Sequence, residues 1–329
     1  VLLTGATGFV GSHLYPALDA AGVPVRCASR SPEKAARIQP DREWVEIDLE
    51  QPHTLDPALA GCRAAYYLIH RISNNPDYAE RELAGARDFA AAAAKAGVER
   101  IVYMGGVEPA GKPSRHLAAR LETGRLLRAG EVPVAELRGA MIIGAGSASW
   151  EMVHDLAKRL PAMVLPSWLK NRSRPALIDD VVVALLAALD LPAEWSGWMD
   201  VPGPTVISHK ELLRMVAREK GYSPVMIDVP VVTPKLSSYW IGLVSDAKLD
   251  LAQELVEGLT SDLLPSGEIV WDRLPGHRPV EVDEAIHLAI EDGRARAASA
   301  ADRTIPEDAE RRIRAAARAY LDGPGIAAG

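Results

Sequence analysis

The chain has only two cysteines in 329 residues, Cys27 and Cys62. Both fall inside short apolar segments, so the expected state is two buried reduced thiols, with no disulfide framework and no thiolate metal site. Basic residues are also scarce: 37 Lys and Arg stand against 44 Asp and Glu, for a net charge of -7. An acidic chain of this kind is a poor match for nucleic acid or an anionic membrane surface. No apolar run approaches the roughly 18 residues that cross a bilayer. No leader pattern precedes the first strand, and a cytoplasmic location without a membrane span is the expectation. The eight histidines show no metal-ligand spacing. Neither a G-x-S-x-G nor a Cys–His arrangement argues for hydrolysis.

What is present is an alternation of short apolar runs with helical patterns, as a doubly wound parallel sheet requires. The expected strands are Val1–Leu3, Pro24–Ala28, Glu43–Ile47, Ala64–Ile69, Arg100–Met104 and Val132–Leu137. Helices are expected near Val10–Ala21, Pro32–Ile38, Leu55–Ala60, Tyr78–Ala96 and Ser114–Ala129. Gly97 and Gly130 stop the last two. After Gly146 the pattern changes to a helix at Trp150–Leu160 and a proline-bearing loop. A helix then begins at Ile178, with Asp179 or Asp180 placed to cap it. A strand at Gly197–Val201, a helix at Lys210–Lys220, an extended Val229–Pro234 and a final helix near Glu307–Leu321 follow. The expected fold is α/β: a Rossmann doubly wound parallel sheet over residues 1–146, completed by 176–207. Residues 147–175 and 208–329 are expected to form a smaller C-terminal α+β substrate domain with a helical tail.

The N-terminus reads Val1-Leu-Leu-Thr-Gly-Ala-Thr-Gly-Phe-Val-Gly11, a buried strand entering a glycine turn and then a helix. Gly5 permits the turn, Gly8 lets backbone approach a pyrophosphate, and Gly11 lets helix and strand pack closely. The diphosphate would rest on amides near Phe9 and Val10 at the helix N-terminus. At the end of the second strand, an acid would bind a ribose 2′-hydroxyl; this chain has Ser29-Arg30-Ser31 instead. Arg30 can pair with a 2′-phosphate, which favours NADP(H) over NAD(H). Asp48 is placed either to accept from the adenine amino group or to cap a turn. Thr7, Leu49, Leu68, Ile69, His70 and Gly105 complete the candidate cofactor set.

Several segments resemble the atypical extended short-chain dehydrogenases of the NmrA-like, NAD(P)H-binding branch. They are Thr4–Gly11, Tyr66–His70, Tyr103–Gly106, Arg138–Gly144, Gly146–Ser149, Val201–Pro204 and Ser237–Leu243. The likeness is to a bacterial subgroup described as nucleoside-diphosphate-sugar epimerase-like, and it runs to about Gly258. It implies a Rossmann domain with a smaller domain closing over the nicotinamide. It also implies a Ser or Thr after the fifth strand and a Tyr-x-x-x-Lys on the next helix. Here Gly105 and Gly106 stand after that strand, leaving room for a larger substrate or for backbone amides to donate. His116 and Arg120 hold the i, i+4 positions on the helix.

His116 is therefore the candidate proton donor, and Arg120 the candidate clamp for ribose or a substrate anion. His70 ends the fourth strand at the ligand rim. Tyr103 is a further catalytic candidate should its hydroxyl turn inward, while Tyr66 and Tyr67 read as core. Trp150, Met152, Met163, Trp168 and Trp240 suit a flat or greasy ligand, or the core of the small domain. The leading function is an NADP(H)-dependent oxidoreductase acting on a small, largely apolar carbonyl or enone, as a monomer or homodimer. The alternatives are a non-catalytic NADP(H)-binding sensor or assembly protein, and a non-redox isomerase or cyclase on the same scaffold.

Overall fold

Apolar runs too short for helices become parallel strands, and the glycine- and serine-bounded amphipathic stretches between them become covering helices. A computed structural model describes residues 1–70, 78–159, 162–229, 257–298 and 305–327. The first half runs β1 (Leu2–Leu3), α1 (Phe9–Ala20), β2 (Arg26–Ser29), α2 (Pro32–Ile38), β3 (Glu43–Glu46), α3 (Leu55–Leu59), β4 (Ala64–Tyr67), α4 (Tyr78–Lys95), β5 (Arg100–Gly106), α5 (Arg115–Arg128) and β6 (Val134–Gly139). The second runs β7 (Ile142–Ile143), α6 (Ala148–Arg159), β8 (Ala162–Pro166), β9 (Arg172–Ser173), β10 (Ala176–Leu177), α7 (Ile178–Ala187), β11 (Gly197–Asp200), β12 (Ile207–Ser208), α8 (His209–Glu219), β13 (Val225–Val229), α9 (Val282–Ala298) and α10 (Glu307–Leu321).

One seven-stranded sheet has the order β11-β6-β5-β4-β1-β2-β3, with every pairing parallel. The order reverses between β1 and β4, and that reversal opens a crevice at the carboxyl ends of the strands. Thr4 fixes its floor: its hydroxyl donates to the Tyr66 carbonyl at 2.7 Å and accepts from the Leu68 amide at 2.9 Å. Side chains alternate across the sheet. Val102 and Met104 join the core under α1 and α7, and Ile101 and Tyr103 join the core under α4. Tyr66 spans the first of these layers, donating to the Leu185 carbonyl at 3.0 Å. Both Tyr66 and Tyr67 are fully buried, as core residues should be.

Three smaller two-stranded sheets lie outside this frame: β7 with β10, β8 with β13, and β9 with β12. These strands were not anticipated, and neither was α9. The C-terminal α10 packs on α1 and α7, where Arg314 reaches Asp19 at 2.7 Å and Arg312 reaches Asp179 at 3.0 Å. Asp179 and Asp180 do not cap α7. Its N-cap is Leu177, and Asp180 instead holds His277 at 2.8 Å and the Val280 amide at 3.0 Å. The carboxylates lie inside the first turn, past the N-cap position, and they fasten the C-terminal segments to α7. Cys27 and Cys62 are both buried and free, and burial pushes the Cys27 thiol up to about 11. Among the described residues no helix is long and apolar enough to cross a membrane.

Candidate active site

The turn after β1 is tight for reasons its glycines explain. Gly5 has φ +65°, and a Cβ on it would stand 2.7 Å from the Leu68 carbonyl oxygen. A Cβ on Gly11 would fall 2.3 Å from the Gly5 oxygen, so α1 can only pack this closely on a bare backbone. Gly8 is the extended N-cap of α1, and no side chain caps the helix. The first-turn amides thus face the crevice at the positive end of the helix dipole, which suits a diphosphate.

Two cavities meet above this turn, sharing Gly5, Gly8, Leu68, Ile69 and His70. One, of about 400 Å³, is lined at the end of β2 by Ser29, Arg30, Ser31 and Lys34, with Thr7, Ile47 and Leu49. The other, of about 470 Å³, is mostly apolar and is lined by Met104, Met141, Met152, Val153, Trp168 and Leu213 among others. A basic, polar chamber joined to an apolar one across a glycine turn fits a dinucleotide that ends in a substrate pocket. Lys34 was not foreseen. It stands four residues after Arg30, one turn into α2, and that spacing is the signal that could have found it. Asp48 does not line either cavity. Its carboxylate accepts from the Glu50 amide at 3.1 Å and Gln51 Nε2 at 3.2 Å, which is the turn-forming alternative.

On the apolar side His116 lines the cavity wall, and its Nε2 lies 3.1 Å from Nε2 of His70. The two rings are 4.4 Å apart at 52°. Nδ1 of His70 is in turn 3.0 Å from Oε1 of Glu82, a nearly buried carboxyl on α4. Three segments remote in sequence thus build a Glu82–His70–His116 chain ending at the cavity. Sequence reading had both histidines but not Glu82, because one acid on an amphipathic helix looks like any solvated residue. Ser114 caps α5 by accepting from the Leu117 amide at 3.3 Å, which places His116 in the first turn of the helix.

Arg120 also lines the cavity and donates to the carbonyls of Met104 at 2.8 Å and Gly105 at 3.2 Å. It braces α5 on β5, and its Nε is buried without a hydrogen-bond partner. Tyr103 stands on the opposite face of the sheet from Met104 and does not line the cavity. Its hydroxyl donates to the Arg120 carbonyl at 3.0 Å, and burial pushes it up to about 12. Tyr103 is therefore not placed to move a proton at this cavity. Gly105 shares that parity and faces Glu136, whose Oε1 would lie 2.8 Å from an added Cβ. Gly106 is the glycine that lines the cavity, and Leu117 already occupies the space beside it, 2.5 Å from an added Cβ. The expected vacancy is thus filled by Glu136 and Leu117, and Gly105 leaves the candidate cofactor set. Of the bulky residues expected over the nicotinamide, Met152 and Trp168 line the cavity, whereas Trp150 is core. The Met163 side chain and Trp240 lie outside the described residues, as do the Ser237–Leu243 segment and most of Val229–Pro234.

Burial, His70 and Arg120 together hold the His116 imidazole down at about 2, and burial and Arg120 hold His70 well below its ordinary value. Burial likewise lowers His13 and His209, each to about 4. These four rings stay neutral in the folded protein, whereas in the unfolded chain they take up protons below about pH 6.5. Stability should therefore fall as pH drops from 6.5 towards 4, by about 3 kcal/mol at pH 4 for each of His13 and His209, with His70 and His116 acting in the same direction. Asp179, pushed up to about 6 by burial, opposes the trend and offsets about one ring. Urea unfolding at pH 7 and pH 5 tests the balance. Equal midpoints would mean that the imidazoles are not held neutral.

The sequence profile of the NAD dependent epimerase/dehydratase family matches residues 1–131. Cinnamoyl-CoA reductase 1 of Oryza sativa subsp. japonica is 31% identical over 111 residues, which is 31% of this chain and 33% of that one. Ceramide reductase of Caulobacter vibrioides is 26% identical over 284 residues, covering 84% of this chain and 89% of the relative. The first three curated relatives are matched over only about a third of their own length. A nucleoside-diphosphate-sugar epimerase from Staphylococcus aureus superposes with a TM-score of 0.70 at 17% identity, over 87% of this chain and 99% of that one. Residues 1–131 thus match the NAD dependent epimerase/dehydratase family, and the chain shares the Rossmann-like α/β fold of the solved epimerase.

Proposed function

We propose that the protein is an NADP(H)-dependent reductase of a small, largely apolar carbonyl compound or enone. The observation that carries this reading is the Glu82–His70–His116 chain ending on the wall of an apolar cavity that opens onto the glycine turn. Bound NADPH supplies a hydride at its nicotinamide. The amides of Phe9 and Val10 would hold the diphosphate, Arg30 and Lys34 the 2′-phosphate, and Ile47 and Leu49 the adenine. Arg120 is the one cation among the described residues that line the apolar cavity, and it is spent on main-chain carbonyls. That lining suits a neutral substrate better than a second diphosphate.

Proton delivery falls to His116. Its Nε2 is engaged with His70, and its ring forms part of the cavity wall. The His70–Glu82 pair behind it is the route by which His116 would be reprotonated. Loss of reduced-nicotinamide absorbance on mixing the protein, NADPH and trans-chalcone tests the reading. A protein that binds NADPH and the enone yet never oxidises the cofactor would be a sensor rather than a reductase.

Cofactor choice is a separate expectation. NADPH should bind at least about tenfold more tightly than NADH, and Arg30→Glu combined with Lys34→Glu should abolish or reverse that order. Calorimetric titration with both cofactors reads it directly, and equal dissociation constants in the unaltered protein would remove the assignment of Arg30 and Lys34.

A further inference from the structure

The cavity wall contributed by residues 168–173 and 209–213 is apolar at Trp168, Leu169 and Leu213 but polar at two points, Ser173 and His209. Ser173 is fully buried and His209 is 4% exposed, yet Ser173 Oγ and His209 Nε2 have no hydrogen-bond partner. Their placement is rigid. β9 and β12 pair antiparallel with Ser173 opposite Ile207, and the His209 amide donates to the Asn171 carbonyl at 3.1 Å. Ser208, next to His209, closes a capping box with Glu211 at the start of α8. Main-chain bonds therefore carry two polar side chains to one cavity and leave both unsatisfied. A buried polar group without a partner is costly, and two in one wall mark where a ligand is expected to supply the missing bonds.

We propose that Ser173 and His209 form a polar subsite that hydrogen-bonds a neutral hydroxyl or carbonyl oxygen of the substrate. The substrate is then an apolar carbonyl compound carrying a second oxygen function away from the reacting one. This rests on the reductase reading above. The chemistry favours a neutral group: a serine hydroxyl both donates and accepts, and a neutral imidazole does one or the other at Nε2. Burial keeps His209 neutral at ordinary pH, so it offers no charge to a carboxylate or phosphate. No Lys or Arg among the described residues lining this cavity comes from β9 or α8.

The test is calorimetric titration of the NADP⁺-loaded protein with trans-chalcone and with the chalcones bearing a single ortho, meta or para ring hydroxyl. At least one hydroxychalcone should bind about tenfold more tightly than chalcone. In Ser173→Ala, and separately in His209→Leu, that advantage should shrink to about twofold or less while the affinity for unsubstituted chalcone is kept. Retained chalcone binding also shows that each variant is folded, and Ser173→Ala removes a single oxygen if the bulkier change fails. Equal affinities for all four compounds, or an advantage that survives both substitutions, overturns the subsite alone. If none of the four binds, the apolar-enone reading fails and the subsite with it.

Discussion

Replacing His116 with alanine should lower turnover by about 100-fold or more and leave cofactor affinity nearly unchanged. In the proposed reading the glycine turn, Arg30 and Lys34 would hold the cofactor, so a loss confined to the chemical step is the signature of a proton donor. Glu82→Gln and His70→Phe act through His116, and each should cost less, about tenfold. Combined with His116→Ala, neither should cost more, because residues that act as one unit are non-additive. With both imidazoles held low, kcat/KM should show no acid limb near 6.5 that disappears in the alanine variant. Turnover of His116→Ala within about threefold of the unaltered protein would assign the proton to bulk water.

A second large effect is expected far from the chemistry. Glu136 is fully buried; its Oε1 lies 2.8 Å from Arg138 Nε, and its other oxygen pairs with Arg128. Arg138 is 3% exposed and lies 4.0 Å over the Trp198 ring. Gly105 and Gly124 both owe their lack of a side chain to this carboxylate, since a Cβ on Gly124 would stand 2.5 Å from it. Glu136→Ala leaves two cations facing each other, one of them deeply buried, and should cost about 3–5 kcal/mol of stability. Urea unfolding measures the loss. A change under about 1 kcal/mol would show that water or Glu108 already screens the arginines.

Gly105 also shows where sequence reading stops. The strand Arg100–Gly106 was legible from its apolar run, but not where it ends. A strand two residues longer than expected carries Gly105 across to the Tyr103 face and leaves Gly106 at the cavity. Side-chain parity is all or nothing in a strand, so one residue moves a candidate from site to core. The helices and strands up to β6 were readable because apolar runs alternate with helical patterns and are bounded by turn chemistry. β7, β9, β10 and β12 are two residues each, too short for any period, and their pairing is decided by tertiary contacts. Lys34, Glu82, Ser173 and His209 were missed for a related reason. Each is unremarkable in its own segment and acquires meaning only beside residues remote in the chain, as Glu82 does beside His70 and His116. The glycine turn was legible because all its parts are contiguous.

The most direct measurement is transfer of deuterium from the reduced nicotinamide of labelled NADPH to trans-chalcone in a single turnover, read by mass spectrometry of the product. The expected result is one deuterium per product molecule, formed on the protein and largely lost in His116→Ala over the same interval. Bound NADPH and bound enone with no deuterium in any product would contradict the assignment of this cavity as a reductase site.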